Sequence, residues 1–356
     1  FMSVERVCRD LCTFDRAEVD LVKFVDRTFN AARRRADEIW RFAAFECHHT
    51  RFHFELSGDL LTDDQLALLA TVPKHKFQFE IGIQSTNAKT LRAVDRQEDC
   101  TRLFDRITRL VKQGNIPVHT DLIVGMPWES YALFQASFND VYALQSDCLQ
   151  VGFLKLLKGS KIRREADRYQ YRYSASAPYE IYDNAFLTYE QVARLEQIAD
   201  TVDRFYNSGA FPKSVSYAVT CFASAFAFYE AFSKEFDGLG ALAQKKLYEI
   251  FFCFMTKTVG EDKLFAEYLR FDWLFHTGGA PVPPYMEPRP SLQPLFFQLL
   301  ERPEFCRGYL PEWEGRKAKD IVKHAFLADF YLPQRRYYLF SGDHYYDVTD
   351  SISEKE

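Results

Sequence analysis

Four polar residues stand near the ends of runs that are otherwise apolar. Asp26 follows VDLVKFV, Glu55 closes RFHFE, Gln84 closes FQFEIGIQ, and Asp121 lies inside IPVHTDLIV. Burying a carboxylate in such a run is costly, of order several kcal/mol, unless it is paired or hydrogen-bonded. Taken singly, each is more often a loop cap or a structural ion pair. Taken together at one rim of a sheet, they suggest a polar ligand that offers hydroxyls and an amine. Ser85, Thr86 and Asn87 extend Gln84 into a polar turn, and Asn87 suits the N-cap of a following helix. Gly82, two residues before Gln84, lets the backbone come close to a neighbour because it has no Cβ. His119 shares a strand face with Asp121. His48, His49 and His53 straddle a loop and a strand start, so packing outweighs a metal-ligand role, and no metal ligands are assigned. The segment Lys155-Leu-Leu-Lys-Gly-Ser lacks the glycines of a phosphate-binding loop and reads as a strand end.

The elements that must position these groups alternate. A helix capped by Ser3 leads to a strand over 19–25. Then come a helix over 31–46, a strand over 51–56, and a short helix opened by the capping box Thr62–Gln65. A strand over 77–83 follows, then helices around Leu91 and over 99–112, the second stopped by Gly114. Strands over 116–124 and 149–156 flank a helix over 130–144. Five such alternations are the rhythm of a parallel α/β sheet, and the strands read as apolar on both faces. Polar residues at C-terminal strand ends are where such sheets place ligands. Past residue 164 the chain becomes Tyr-rich and irregular, then mostly helical and aromatic. We therefore place one domain over 1–184 and a second, mostly helical one, over 185–356. Residues 217–232 read as one buried helix, and 337–348 as a hairpin around Gly342-Asp343.

With 356 residues, 47% hydrophobic and 27% charged, the chain is globular, and a net charge of −5 argues against general nucleic-acid binding. No segment reads as a membrane span or a signal peptide, which makes cytoplasm the default compartment. The eight cysteines show no zinc-like pairs. Cys8 and Cys12 share the apolar stripe of the first helix and read as core-facing thiols.

Gly-Ile-Gln-Ser-Thr followed by Thr-Leu-Arg-Ala-Val-Asp-Arg resembles the fourth-strand signature of radical S-adenosylmethionine (SAM) enzymes. The stretch 51–127 is similar to the SAM-binding half of their barrels, as in oxygen-independent coproporphyrinogen oxidase. The segments VKFVDRTFN, FEIGIQSTN, DLIVGMP and LQVGFLKLLKGS further resemble radical SAM proteins that carry a cobalamin-binding domain and an uncharacterised C-terminal domain. The resemblance implies an incomplete (β/α)6 barrel whose first strand and cluster loop lie upstream, followed by the helical domain. It implies that Glu55 meets ribose hydroxyls, that Asp121 makes a ribose or adenosyl contact, that Gln84 and Ser85 face the cofactor, and that Arg96 holds the methionine carboxylate. A guanidinium fork suits that bidentate task. Asp26 takes the position near the methionine amine, with Asp-Arg-Thr-Phe where the family more often has Asp-Asp-x-Phe. The cofactors implied are SAM, a [4Fe–4S] cluster and, through an upstream domain, cobalamin. The implied partners are a substrate of unknown identity and an electron donor such as flavodoxin or ferredoxin, with neither nucleic acid nor membrane.

One departure is large: the cluster motif C-x-x-x-C-x-x-C is missing, because position 15, where Cys8 and Cys12 would need a third thiol, is Asp15. The chain by itself is therefore expected to be inactive. Two rivals remain: a (β/α)-barrel enzyme using Asp26, Glu55, His119 and Asp121 for acid–base chemistry, and a ligand-binding protein that has lost the cluster.

Overall fold

A computed structural model describes residues 1–96 and 99–353, without the side chain of residue 353. The chain divides into two compact units, Phe1–Asn207 and Ser208–Glu356. In the first unit, helix α1 (Val4–Arg16) leads into strand β1 (Leu21–Lys23), α2 (Arg33–Phe45) into β2 (Arg51–Leu56), and α3 (Asp63–Leu69) into β3 (Phe77–Gln84). Helices α4 (Ala88–Ala93) and α5 (Cys100–Gln113) precede β4 (Val118–Val124), and α6 (Tyr131–Tyr142) precedes β5 (Cys148–Phe153). The five strands are all parallel and lie side by side in chain order. Each expected capping device is present: Ser3 accepts from Arg6, Thr62 and Gln65 form a capping box, and Gly114 ends α5 in the left-handed region.

The strands are not apolar on both faces, as the composition of the runs had suggested. In β3, Phe77, Phe79, Ile81 and Ile83 are buried while Gln78, Glu80, Gly82 and Gln84 are only half-buried, and β4 alternates the same way. The buried face packs on helices, with Phe29, Trp40, Phe54 and Phe79 forming a ring cluster at 4.6–6.3 Å between centroids. Each such pair adds about 0.5–1.5 kcal/mol beyond area burial. The opposite face carries Gln78, Glu80 and Gln84 of β3 and His119 and Asp121 of β4.

After β5 come α7 (Lys161–Arg164), a two-strand pair β6 (Arg172–Tyr173) and β7 (Ile181–Asp183), and α8 (Tyr189–Val202). The first unit runs to residue 207 rather than 184 because α8 packs on β5 and β7. Its end is tied down as well: the Asn207 side chain bonds both backbone groups of Leu149.

The second unit begins with α9 (Pro212–Thr220) and α10 (Ala225–Phe232), two short helices bent by 107° where one was expected; Ser224 caps the second. Among the described residues no single helix is long and apolar enough to cross a membrane. Helices α11 (Gln244–Thr258) and α12 (Lys263–Thr277) follow, and later an antiparallel sheet of β8 (Ala325–Tyr331), β9 (Arg335–Ser341) and β10 (His344–Asp347). The hairpin around Gly342-Asp343 is present. Strand β8 escaped the sequence reading because Leu327 to Phe330 are all buried, which erases the period of two.

Candidate ligand site at the strand ends

A cavity of about 530 Å³ opens at the C-terminal ends of β2, β3 and β4, a size typical of small-molecule sites. Glu55, Gln84, Arg96 and Asp121 all line it, so four of the six sequence-selected residues converge. The register explains why: Glu55 pairs with Glu80, and Gly82 with Asp121, which puts these side chains on the polar face of adjacent strands. A bulge between Gly82 and Gln84 breaks the β3–β4 ladder, and Gln84 sits at φ 69°. Bulges re-aim a side chain at a strand end, and here the bulge turns Gln84 toward the cavity.

Gly82 leaves room for two side chains that cross the strand here. A Cβ added to it would meet Gln84 Nε2 at 2.3 Å and Arg96 Nη2 at 3.7 Å. Its absence lets both side chains fold over the strand, where Arg96 Nη1 donates to Gly82 O at 3.0 Å.

The other two selected residues are elsewhere. Asp26 does not line the cavity; its neighbour Arg27 does. Ser85 is fully buried on the far side of the turn, donating to Glu129 Oε1 at 2.5 Å. Strand alternation accounts for this, since the residue after Gln84 must point the other way. Ser85, Ser137 and Glu129 form a closed cluster beneath the turn, and Ser137 donates to the same oxygen at 3.0 Å.

The sequence reading missed Glu80, Arg27 and Lys161, all of which line the cavity. Glu80 was legible: in FQFEIGIQ it alternates in step with Gly82 and Gln84. Lys161 was not, because it arrives from α7, where its ammonium pairs with Asp95 at 2.7 Å.

The floor of the cavity is acidic. Burial pushes Asp121 up to about 7, the Glu80 and Glu55 carboxylates add to the rise, and Arg96 works against it. Asp121 Oδ1 is buried with no hydrogen-bond partner among the described residues. That spare oxygen can accept from a hydroxyl of a ligand in the cavity. Behind Glu80, His53 Nε2 lies 3.1 Å from its carboxylate, and His119 meets Gln78 at 3.1 Å. Burial lowers the pKa of His119.

Among the described residues no three His, Cys, Asp or Glu side chains are grouped to hold a metal. Cys8 and Cys12 are half-exposed rather than core-facing, because Val7 and Leu11 take the centre of the α1 stripe. Asp15 is a structural acceptor: its carboxylate takes the backbone amides of His48, His49 and Thr50 at 2.8–3.0 Å.

A parallel α/β unit with a polar cavity at its strand ends is the setting in which comparisons with known proteins fall. The family described as Protein of unknown function (DUF4080) matches residues 167–336, somewhat under half of the chain. An uncharacterised protein of Methanocaldococcus jannaschii is 24% identical over 144 residues, covering 40% of this chain and 44% of that one. A tRNA-2-methylthio-N(6)-dimethylallyladenosine synthase of Clostridium botulinum is 26% identical over 109 residues, covering 30% of this chain and 24% of that one. The chain thus spans less than half the length of either curated relative. Among solved structures, a radical SAM methyltransferase from Kitasatospora setae with cobalamin and a [4Fe–4S] cluster bound aligns at TM-score 0.42 and 12% identity, over 52% of this chain and 38% of that one. Coproporphyrinogen III oxidase from Escherichia coli, described as a radical SAM enzyme, aligns at TM-score 0.35 and 17% identity, over 44% and 39%. Radical SAM proteins are what the chain resembles by its motifs, and such proteins are among its structural likenesses.

Proposed function

We propose that the chain is the SAM-binding portion of a radical SAM enzyme, its sheet being five strands of an incomplete (β/α)6 barrel. The observation that carries this reading is the convergence of Glu55, Gln84, Arg96 and Asp121 on one strand-end cavity. In this reading Arg96 holds the methionine carboxylate, Glu55 and Asp121 take ribose hydroxyls, and Gln84 faces the sulfonium side. Bound SAM would supply the precursor of an adenosyl radical or a methyl group to transfer. The chain's own task is to orient it and keep water out. The residues fit that ligand: the cavity joins carboxylates, a guanidinium and an orphaned carboxyl oxygen.

They do not fit a [4Fe–4S] cluster, for want of a thiolate set among the described residues. Cluster ligands would have to come from an upstream segment whose strand pairs with β1, the edge of the sheet. Cobalamin, a flavodoxin-like or ferredoxin-like electron donor and a cytoplasmic setting belong to the same proposal. The acid–base rival needs Asp26, Glu55, His119 and Asp121 together, and only two of these line the cavity.

Calorimetric titration with SAM tests the reading. We expect saturable binding that weakens about tenfold or more in Arg96→Ala, as loss of a charge-assisted contact implies. Binding of equal strength in both proteins removes Arg96 from the carboxylate role.

A further inference from the structure

A second, smaller pocket of about 310 Å³ lies beside the first, bounded by α4, α7 and the turn that carries Trp128. Its lining is cationic and aromatic: Lys89, Arg92, Lys161 and Arg168 surround Trp128 and Tyr169, with Glu165 the single carboxylate. Lys161 is held by Asp95 at 2.7 Å, and Arg168 lies 3.9 Å from Glu165. Lys89 and Arg92 make no ion pair among the described residues. The pocket therefore keeps two uncompensated positive charges on one side.

Trp128 is placed there at a cost. Its φ is 65°, a backbone region that bulky side chains avoid, worth of order 1–3 kcal/mol. The turn is fixed by Asn87 Nδ2 donating to Trp128 O at 3.1 Å, and the indole packs on Phe186 at 4.9 Å and Tyr169 at 6.3 Å between centroids. The Lys89 ammonium lies 3.5 Å from the ring centroid. An exposed cation–π contact of this kind contributes only about 0.5–1 kcal/mol, so a phosphate can displace it.

Uncompensated cations select an anion, and a rigid indole selects a flat ring. We propose that this pocket binds a nucleoside phosphate, with the phosphates on Lys89 and Arg92 and the base against Trp128. A bare anion would leave the strained tryptophan without a purpose. A long nucleic acid would need a basic surface that a chain of net charge −5 does not offer. The site shares Lys161 with the strand-end cavity but uses none of Glu55, Gln84 or Asp121, so variants of those residues separate it from SAM binding.

The test is titration of the full chain with ATP, with tripolyphosphate, adenosine and a short adenine oligoribonucleotide as separate arms. We expect ATP to bind more tightly than tripolyphosphate or adenosine, and to weaken about tenfold in the surface double variant Lys89→Gln/Arg92→Gln. Trp128→Phe should weaken it less, and Asp121→Asn should leave it unchanged. Four results overturn the proposal: no binding of ATP; tripolyphosphate binding as tightly as ATP; an oligoribonucleotide binding more tightly than ATP; or ATP binding that Asp121→Asn abolishes and the double variant retains. The last would place the nucleotide in the strand-end cavity.

Discussion

Replacing Glu129 by glutamine should remove a pH dependence that the wild-type chain carries. Glu129 is completely buried beneath the turn that presents Gln84. Its Oε1 accepts from Ser85 and Ser137, while Oε2 has no partner among the described residues. Burial raises its pKa from 4.5 to about 7, and the two serine hydroxyls pull only partly the other way. An acid whose folded pKa is raised binds more protons folded than unfolded. Its contribution is therefore complete below pH 4.5 and is lost as the pH climbs through about 7. The size of that loss is at most about 3 kcal/mol, from 1.36 kcal/mol per pKa unit. Glutamine keeps the shape and the acceptor oxygen but cannot ionise. Because the chain has two units, urea unfolding should be read peptide by peptide through hydrogen exchange, following β3 and α4. Between pH 5 and pH 8 the wild type should lose about 2–3 kcal/mol relative to Glu129→Gln in those peptides. Parallel pH profiles for the two proteins would refute the reasoning.

Gly125 sits at φ 90° and its missing Cβ would lie 1.9 Å from Ile181 Cδ1, so Gly125→Ala should cost more than about 2 kcal/mol and lower the melting temperature of the first unit; an unchanged melt would contradict this. Asp15 acts at the opposite end of the pH scale from Glu129. Burial raises its pKa, but three backbone amides, with Lys76 assisting, bring it from 3.8 down to about 2. Its contribution, about 2 kcal/mol, is present above pH 3.8 and lost as the pH falls toward 2. Asp15→Asn should lose that amount at neutral pH and flatten the acid limb of a denaturation series; an acid limb as steep as wild type would contradict it.

Much of the first unit is legible from sequence because its signals are local. The strand 51–56, the capping box at Thr62 and the stop at Gly114 all depend on residues a few positions apart. The cavity could be read as far as each strand contributes one polar group per end. The second face of those strands was legible too, since Gln78, Glu80, Gly82 and Gln84 alternate with apolar residues in β3, although the strands were expected to be apolar on both faces. Lys161 and Arg27 enter from loops and short helices whose approach no periodicity encodes. Ser85 illustrates the opposite error: it belongs to the motif, yet one step of alternation turns it to Glu129. Residues 217–232 read as one helix although Thr220, Ser224 and Glu230 interrupt the apolar run, and the break falls where Ser224 caps a new helix.

Crystals of this chain soaked with SAM would address the strand-end assignment without intermediaries. Electron density should show the ribose between Glu55 and Asp121 and the methionine carboxylate on Arg96, inside the cavity that Gln84 closes. Ligand density in any other place, with those four side chains untouched, would contradict the account.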